Sequence, residues 1–250
     1  THDDVRVECS EGDRFVARRT LDGAGVADIA EALEMPKSTV YSHLHTLERA
    51  EFLTKEGTEY EIGLRFLDYG GHARSKAALY ELARPAVDDL ADTTGAAANL
   101  MVEDDGVGVY LYHCRGDGPI RIDPHVGQRT PLHATALGKA ILAHLPDGCV
   151  ESFLDARDLP SYTSRTITEQ GKLREELRTV RDEGIAFDDQ ARHDGLRCVA
   201  APILDDRDRV LGAISVSGPV TDFHGVRFRS ELPARVEDAA NAVRLKLTRA

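Results

Sequence analysis

Two apolar periods and a short alternating stretch organise residues 26–66, VADIAEALEMPKSTVYSHLHTLERAEFLTKEGTEYEIGLRF. Ala27, Ile29, Ala30 and Leu33 share one face of a short helix that ends before Glu34-Met35-Pro36. Pro36 suits the first turn of a second helix, where a missing N–H is harmless, and Val40, Leu44 and Leu47 then recur at i, i+4, i+7. Phe52 and Leu53 close the apolar set, and Lys55, Glu56, Gly57 and Thr58 read as a hairpin tip before the alternating Tyr60 and Ile62. Helix, turn, helix and hairpin in that order predict a winged helix-turn-helix.

Beyond it, 66–94 is helical in pattern, with a break permitted at Gly70-Gly71. Leu79, Leu82, Ala86, Val87, Leu90 and Ala91 form one apolar face, and Pro85 is placed to bend or restart the helix. Strand patterns then take over. The stretches 98–102 and 107–112 flank the turn Glu103-Asp104-Asp105-Gly106, and Ile120, Ile122 and Pro124 suggest a further strand. A helix over 135–145 turns Leu137, Ile141, Leu142 and Leu145 inward. Thr168 is expected to cap another, with Leu173, Leu177 and Val180 as its buried stripe and Gly184 as its stop. Strands over 185–187, 196–203 and 210–217, the last two joined by Asp205-Asp206-Arg207-Asp208, precede a closing helix over 234–246. The whole reads as α+β: a DNA-binding domain over 1–65, a linker helix over 66–78, and an antiparallel sheet with helices packed on it over 79–250.

Charge refines this picture. The formal net charge of −12 argues against nonspecific adhesion to nucleic acid, but a specific binder depends on the potential of its docking face. On the second helix, the face opposite the apolar stripe carries Ser38, Ser42, His45, Thr46 and Arg49, with Lys37, Thr39 and Tyr41 beside them. No acidic residue lies between Met35 and Leu47, so this face can enter a major groove without repelling phosphates. Lys55 and Arg65 are the candidate phosphate contacts of the wing.

Only six of the 31 basic residues are lysine, and Asp outnumbers Glu. An acidic, lysine-poor surface suits concentrated intracellular salt, as in the cytoplasm of a halophile such as a halophilic archaeon, where screening shortens to roughly 3 Å at molar ionic strength. High-GC codon bias is the alternative source of the same composition. No run of about 18 apolar residues offers a membrane span, and the charged first 25 residues lack the apolar core of a signal peptide. Cys9, Cys114, Cys149 and Cys198 are scattered without framework spacing, which fits a reducing cytoplasm.

Read in order, the winged helix, GLRFLDYG, a linker helix, PLHATALGKAILAHL, GIAFDDQARHDGLRCVAAPI and LGAISVSGP resemble the IclR family of transcriptional regulators. The resemblance runs from Val26 to the last helix. It implies a GAF-like effector domain that binds a small organic molecule, carboxylate or sugar-derived acid, and a chain that binds double-stranded operator DNA as a homodimer or a dimer of dimers. Carried over by motif, the effector pocket forms around Asp188, Cys198, Ser215 and Ser217, with Leu196, Ala136, Leu137 and Thr130 around the ligand. Ser215 and Ser217, two apart on a strand, share a side, and the start of the helix after Thr135 can hold a carboxylate. The family also places an amphipathic helix ahead of Val26, packing two subunits together, whereas VRVECSEGDRFVARRT offers Phe15, Val16 and little else apolar.

Two other classes compete. One is a ligand sensor that has lost DNA binding. The other is an enzyme, built on a Cys198 nucleophile with His193 and Asp188, or on zinc held by His133, Asp188, His193 and Cys198. No nucleophile elbow, phosphate loop or dinucleotide fingerprint accompanies these residues. The expectation is therefore a non-enzyme without cofactor, metal or membrane partner.

Overall fold

The computed structural model describes residues 4–9, 13–18, 23–116 and 124–248. The chain divides into two compact units, 1–73 and 74–250. In the first, β1 (Asp4–Cys9) pairs antiparallel with β2 (Asp13–Arg18). The segment ahead of Val26 is thus a hairpin instead of the helix implied by the resemblance. Its sparse apolar residues give a helix no continuous stripe to bury.

The short β3 (Ala24–Gly25) leads into α1 (Val26–Leu33) and α2 (Lys37–Arg49). Glu34 closes α1 in the left-handed region (φ 54°), and the Met35 N–H returns to the Ala30 carbonyl. Pro36 stands just outside α2, as its extended N-cap. β4 (Leu53–Glu56) and β5 (Glu59–Ile62) form the wing around Gly57-Thr58, and β5 also pairs with β3. Ile29, Ala30, Val40, Leu44, Leu53 and Tyr60 make one small core.

α3 (Arg65–Ser75) runs through Gly70 and Gly71, so the break falls after Ser75. Nothing approaches either glycine, and on an exposed helix each costs only about 1 kcal/mol. α4 (Ala78–Thr94) likewise continues through Pro85, whose exposed ring replaces only one backbone bond. Its buried face is Leu79, Tyr80, Ala83, Val87, Leu90 and Ala91, which leaves Leu82 and Ala86 half-buried at its margin.

The second unit is built on β6 (Ala97–Asp104), β7 (Val107–Cys114), β8 (Arg129–Thr130), β9 (Ala186–Asp189), β10 (Leu196–Leu204) and β11 (Val210–Pro219). They form one antiparallel sheet in the order β8-β7-β6-β11-β10-β9. Asp105 and Gly106 both have positive φ, the two-residue turn that suits strand twist at the β6–β7 hairpin. The strand expected at Ile120 and Ile122 lies outside the described residues.

Alternation sends Ala98, Leu100, Val199, Ala201, Ile214 and Val216 to one face, with α4 and α8 (Leu232–Leu247). The last helix begins earlier than its pattern suggests, because a π-helical turn, Arg227–Glu231, buries Phe228 and runs directly into it. The opposite face carries Met101, Cys198, Ala200 and Ala213. These pack with α5 (Ala136–His144), α6 (Asp147–Ala156) and α7 (Gln170–Glu183). α6 escapes the sequence reading because its stripe is only Val150, Phe153 and Leu154. α7 takes Glu169 as its N-cap, displacing Thr168, and ends at left-handed Gly184. α5 lies unusually close to the chain before it: a Cβ at Gly138 would sit 2.1 Å from the Leu132 carbonyl oxygen.

Candidate functional site

In the first unit, Val40 and Leu44 hold α2 against α1, and this fixes which side is left outward. Lys37, Ser38, Tyr41, Ser42, His45, Thr46 and Arg49 are all exposed, and Thr39 is half-buried at the edge. Thr46 donates to the Ser42 carbonyl at 2.9 Å, so its hydroxyl is partly committed to its own helix. Tyr41 and His45 lie parallel, centroids 6.2 Å apart. The acid-free run stops at Glu48, whose carboxylate is 3.7 Å from His45 Nδ1. On the wing, Lys55 is exposed and its ammonium lies 5.2 Å from the Tyr60 ring centre. Arg65 is differently employed. Its guanidinium donates to the Ala50 carbonyl at 2.9 Å and to Glu51 at 3.3 Å, and it lies against Phe52 and Tyr69, so it braces the start of α3.

In the second unit, sheet register assembles the pocket. Asp188 pairs with Cys198 and Cys198 with Ser217, while Ser215 pairs with Asn99 on the next rung. Together with the first turn of α5, they border a cavity of about 100 Å³. Thr130, Ala136, Leu137, Asp188, Leu196, Cys198, Ser215 and Ser217 all line it. So do residues the motifs did not single out, among them Asn99, Tyr110, Arg192 and His193. Asn99 had a visible signal, since it is the polar residue in the apolar run of β6. Arg192 and His193 stand inside the quoted ARHDG stretch with no periodicity to mark them.

Asn99 sets the polarity of this wall. Its Oδ1 lies 2.8 Å from His113 Nδ1, where a neutral imidazole carrying its proton on Nδ1 donates; burial and Arg115 both lower the His113 pKa. The Asn99 amide then donates to Ser215 at 3.3 Å and Ser217 at 3.4 Å. The Ser217 hydroxyl donates to Cys198 Sγ at 3.1 Å, making the thiol sulfur an acceptor. Ser215, already accepting from Asn99, keeps its O–H for a ligand. Thr135 caps α5 by accepting from the Gly138 N–H at 3.0 Å, and Thr135, Ala136 and Leu137 line the cavity there. Unpaired first-turn N–H groups favour an anion at that position.

Asp188 is nearly inaccessible, and its carboxylate accepts from the Ala191 N–H at 2.6 Å. Burial raises its pKa to about 6, against the pull of that N–H and of Lys139. Burial also pushes the Cys198 thiol upward, and Asp188 adds to it. An activated nucleophile needs the opposite shift. His133 bonds the Pro160 carbonyl through Nε2 at 3.1 Å. Among the described residues, no group of three or more His, Cys, Asp or Glu side chains is gathered to hold a metal, so His133, Asp188, His193 and Cys198 are not brought together as a site. No helix among the described residues is long and apolar enough to cross a membrane.

The chain is similar to known proteins in both units. Residues 16–57 match the IclR helix-turn-helix domain, and 71–245 match the bacterial transcriptional regulator IclR C-terminal domain. The chain is 34% identical over 229 residues to the probable HTH-type transcriptional regulator ArcR of Halobacterium salinarum, covering 90% of this chain and 87% of that one. It is 35% identical over 193 residues to the uncharacterized HTH-type transcriptional regulator RhmR of Escherichia coli, covering 77% and 74%. Among solved structures, the Thermotoga maritima IclR superposes with a TM-score of 0.77 at 26% identity, covering 92% of this chain and 93% of that one.

Proposed function

The chain belongs to the IclR family of transcriptional regulators, and from that premise we propose that it binds operator DNA through the exposed face of α2 and releases or tightens it in response to a small organic acid held against β11. The observation that carries the choice of acid is the Ser215 hydroxyl. It has a proton to give and faces a cavity that also borders the first turn of α5, where Thr135 caps only the Gly138 N–H. Leu137, Leu196 and Tyr110 supply apolar walls for the body of the ligand. The reading is of a binding protein and not of an enzyme, supported by the raised Cys198 thiol and by relatives that are regulators.

On α2, Ser42, His45 and Arg49 are the base-facing candidates and Lys37 and Lys55 the phosphate contacts. Arg65 is left out of that set because its Nη1 is turned back to the Ala50 carbonyl and to Glu51.

The test is to select genomic fragments with the full chain at high salt, then titrate organic acids against the selected operator. Ser215→Ala should weaken the active acid by about tenfold or more, the worth of one hydrogen bond to a charged group. Operator affinity without the acid should stay as in the wild type. Equal acid affinity in Ser215→Ala would move the site elsewhere, and failure to enrich any fragment would remove the DNA-binding role.

A further inference from the structure

The loop 190–195 is braced more heavily than a connection between two strands requires. Asp188 accepts from the Ala191 N–H, and the Gln190 side chain accepts from the Gly195 N–H at 3.2 Å. Asp189 makes two bonds to Arg197 and lies 3.5 Å from Arg165. Gln190 itself is held in the left-handed region at φ 67°. A second loop, 157–169 between α6 and α7, clamps the same segment. The Thr163 hydroxyl donates to the Gln190 carbonyl at 2.8 Å, and the Thr166 hydroxyl donates to the Ala191 carbonyl at 2.6 Å.

What these clamps hold in place is Arg192. Its guanidinium carbon lies 4.0 Å from the centre of the Tyr162 ring, close enough for a strong cation–π contact. Tyr162 is in turn flanked by His133, ring centres 6.0 Å apart, and His133 is tied to the Pro160 carbonyl of the same loop. Arg192 borders the cavity, and its charge is felt by Tyr110, which also lines it. The Asp188 carboxylate accepts from the Arg192 backbone N–H, and among the described residues the Arg192 guanidinium forms no ion pair with a carboxylate. A guanidinium that is fixed in direction, stacked on one face and left with free donors at its edge is prepared for a planar anion.

We propose that Arg192 is the specificity-determining residue of this pocket, selecting a carboxylate over its neutral isosteres, and that Tyr162 is the positioning residue that aims it. The ligand class follows: a small monocarboxylate whose acid group is gripped between Arg192 and the polar wall at Ser215, with its remainder along Leu137 and Leu196. This rests on the organic-acid reading above. It adds a cation from one loop, inside a quoted motif but not singled out by it, and an aromatic platform from a second loop that no motif covers.

The experiment uses the full-length protein and a panel of monocarboxylates from glycolate to benzoate, each paired with its primary amide. Calorimetry gives the ratio of acid to amide affinity. The wild type should favour at least one acid by about tenfold or more, as expected for a charge-assisted pair. Arg192→Gln should bring that ratio close to one, Tyr162→Ala should reduce it severalfold, and Tyr162→Phe, which keeps the ring, should restore it. A merely structural role for Tyr162 would weaken acid and amide together and leave the ratio alone. A ratio unchanged in Arg192→Gln overturns the proposal while leaving the effector reading intact. Should that variant fail to fold, an unchanged ratio in both Arg192→Met and Tyr162→Ala does the same. If no acid of the panel binds the wild type, the organic-acid reading falls and this proposal with it.

Discussion

Asp188 sits in a costly environment for a carboxylate. Its pKa stands at about 6 in the folded protein against an ordinary 3.8, because burial penalises the ionised form more than the Ala191 N–H and Lys139 favour it. An acid whose folded pKa is raised stabilises the fold below the unfolded value and loses that advantage as pH rises through the folded one. Between pH 4 and 6 the loss amounts to roughly 3 kcal/mol at most. Asp188→Asn keeps an acceptor for the Ala191 N–H and removes the ionisation. The variant should be more stable than the wild type at pH 7.5 by roughly 1 to 3 kcal/mol, with the gain vanishing below pH 4. Urea denaturation at the two pH values reads this directly, and a gain that persists at low pH would point to packing instead. The same carboxylate repels an anionic ligand once ionised, so acid affinity in the wild type should rise as pH falls through about 6 and should lose that dependence in Asp188→Asn.

Two helices carry the working surfaces, each by its own local logic. On α2, burial of Val40 and Leu44 leaves Ser42, His45 and Arg49 outward, so substitutions there should change which sequences are bound more than they change stability. Ser42→Ala combined with His45→Ala should relax operator choice, whereas Lys55→Ala should weaken all sequences alike and reduce the salt slope by about one. Footprints identical to the wild type in the double variant would displace the groove face from these residues. On α5, the first turn lies so near Leu132 that only glycine fits at 138: an added Cβ would meet the Leu132 carbonyl oxygen at 2.1 Å and its Cα at 2.3 Å. Both are backbone atoms in a buried segment, so neither yields without moving the turn that borders the cavity. Gly138→Ala should therefore destabilise the second unit by about 1 to 3 kcal/mol, the usual cost of overpacking. It should also weaken the effector, and a melting temperature within a degree of the wild type would contradict the tight approach.

At the scale of the whole molecule, a chain of net charge −12 is expected to reach DNA through a local surface that departs from the average. Residues 35–47 provide that departure, and Glu48 bounds it. Two recognition helices related by a two-fold axis would read an inverted repeat, so the solution mass should correspond to two or four chains and protection should cover two half-sites. Sedimentation at working concentration and high salt tests the first. A monomeric mass with one protected half-site would count against the paired arrangement. High salt matters because the acidic surface of each chain repels both DNA and its neighbours in dilute buffer.

The sequence by itself determined whatever depends on neighbours a few residues away. The stripes of α1, α2, α5 and α7, the wing around Gly57-Thr58, the β6–β7 turn and the stop at Gly184 are local, because burial of one face at a period of 3.6 or 2 is written into consecutive positions. The family resemblance also pointed to eight of the residues that line the cavity. Only the tertiary structure decided what those residues do to one another. The Asn99 amide that orients Ser215 comes from 116 positions away, and no periodicity links the two until sheet register places them side by side. Arg192 on Tyr162, Arg65 turned back to Ala50, and the burial that lifts Asp188 are likewise consequences of loops meeting in space. Donor direction, charge state and ligand preference depend on solvent exclusion and on partners distant in the chain, and both exist only once the sheet has closed over its helices.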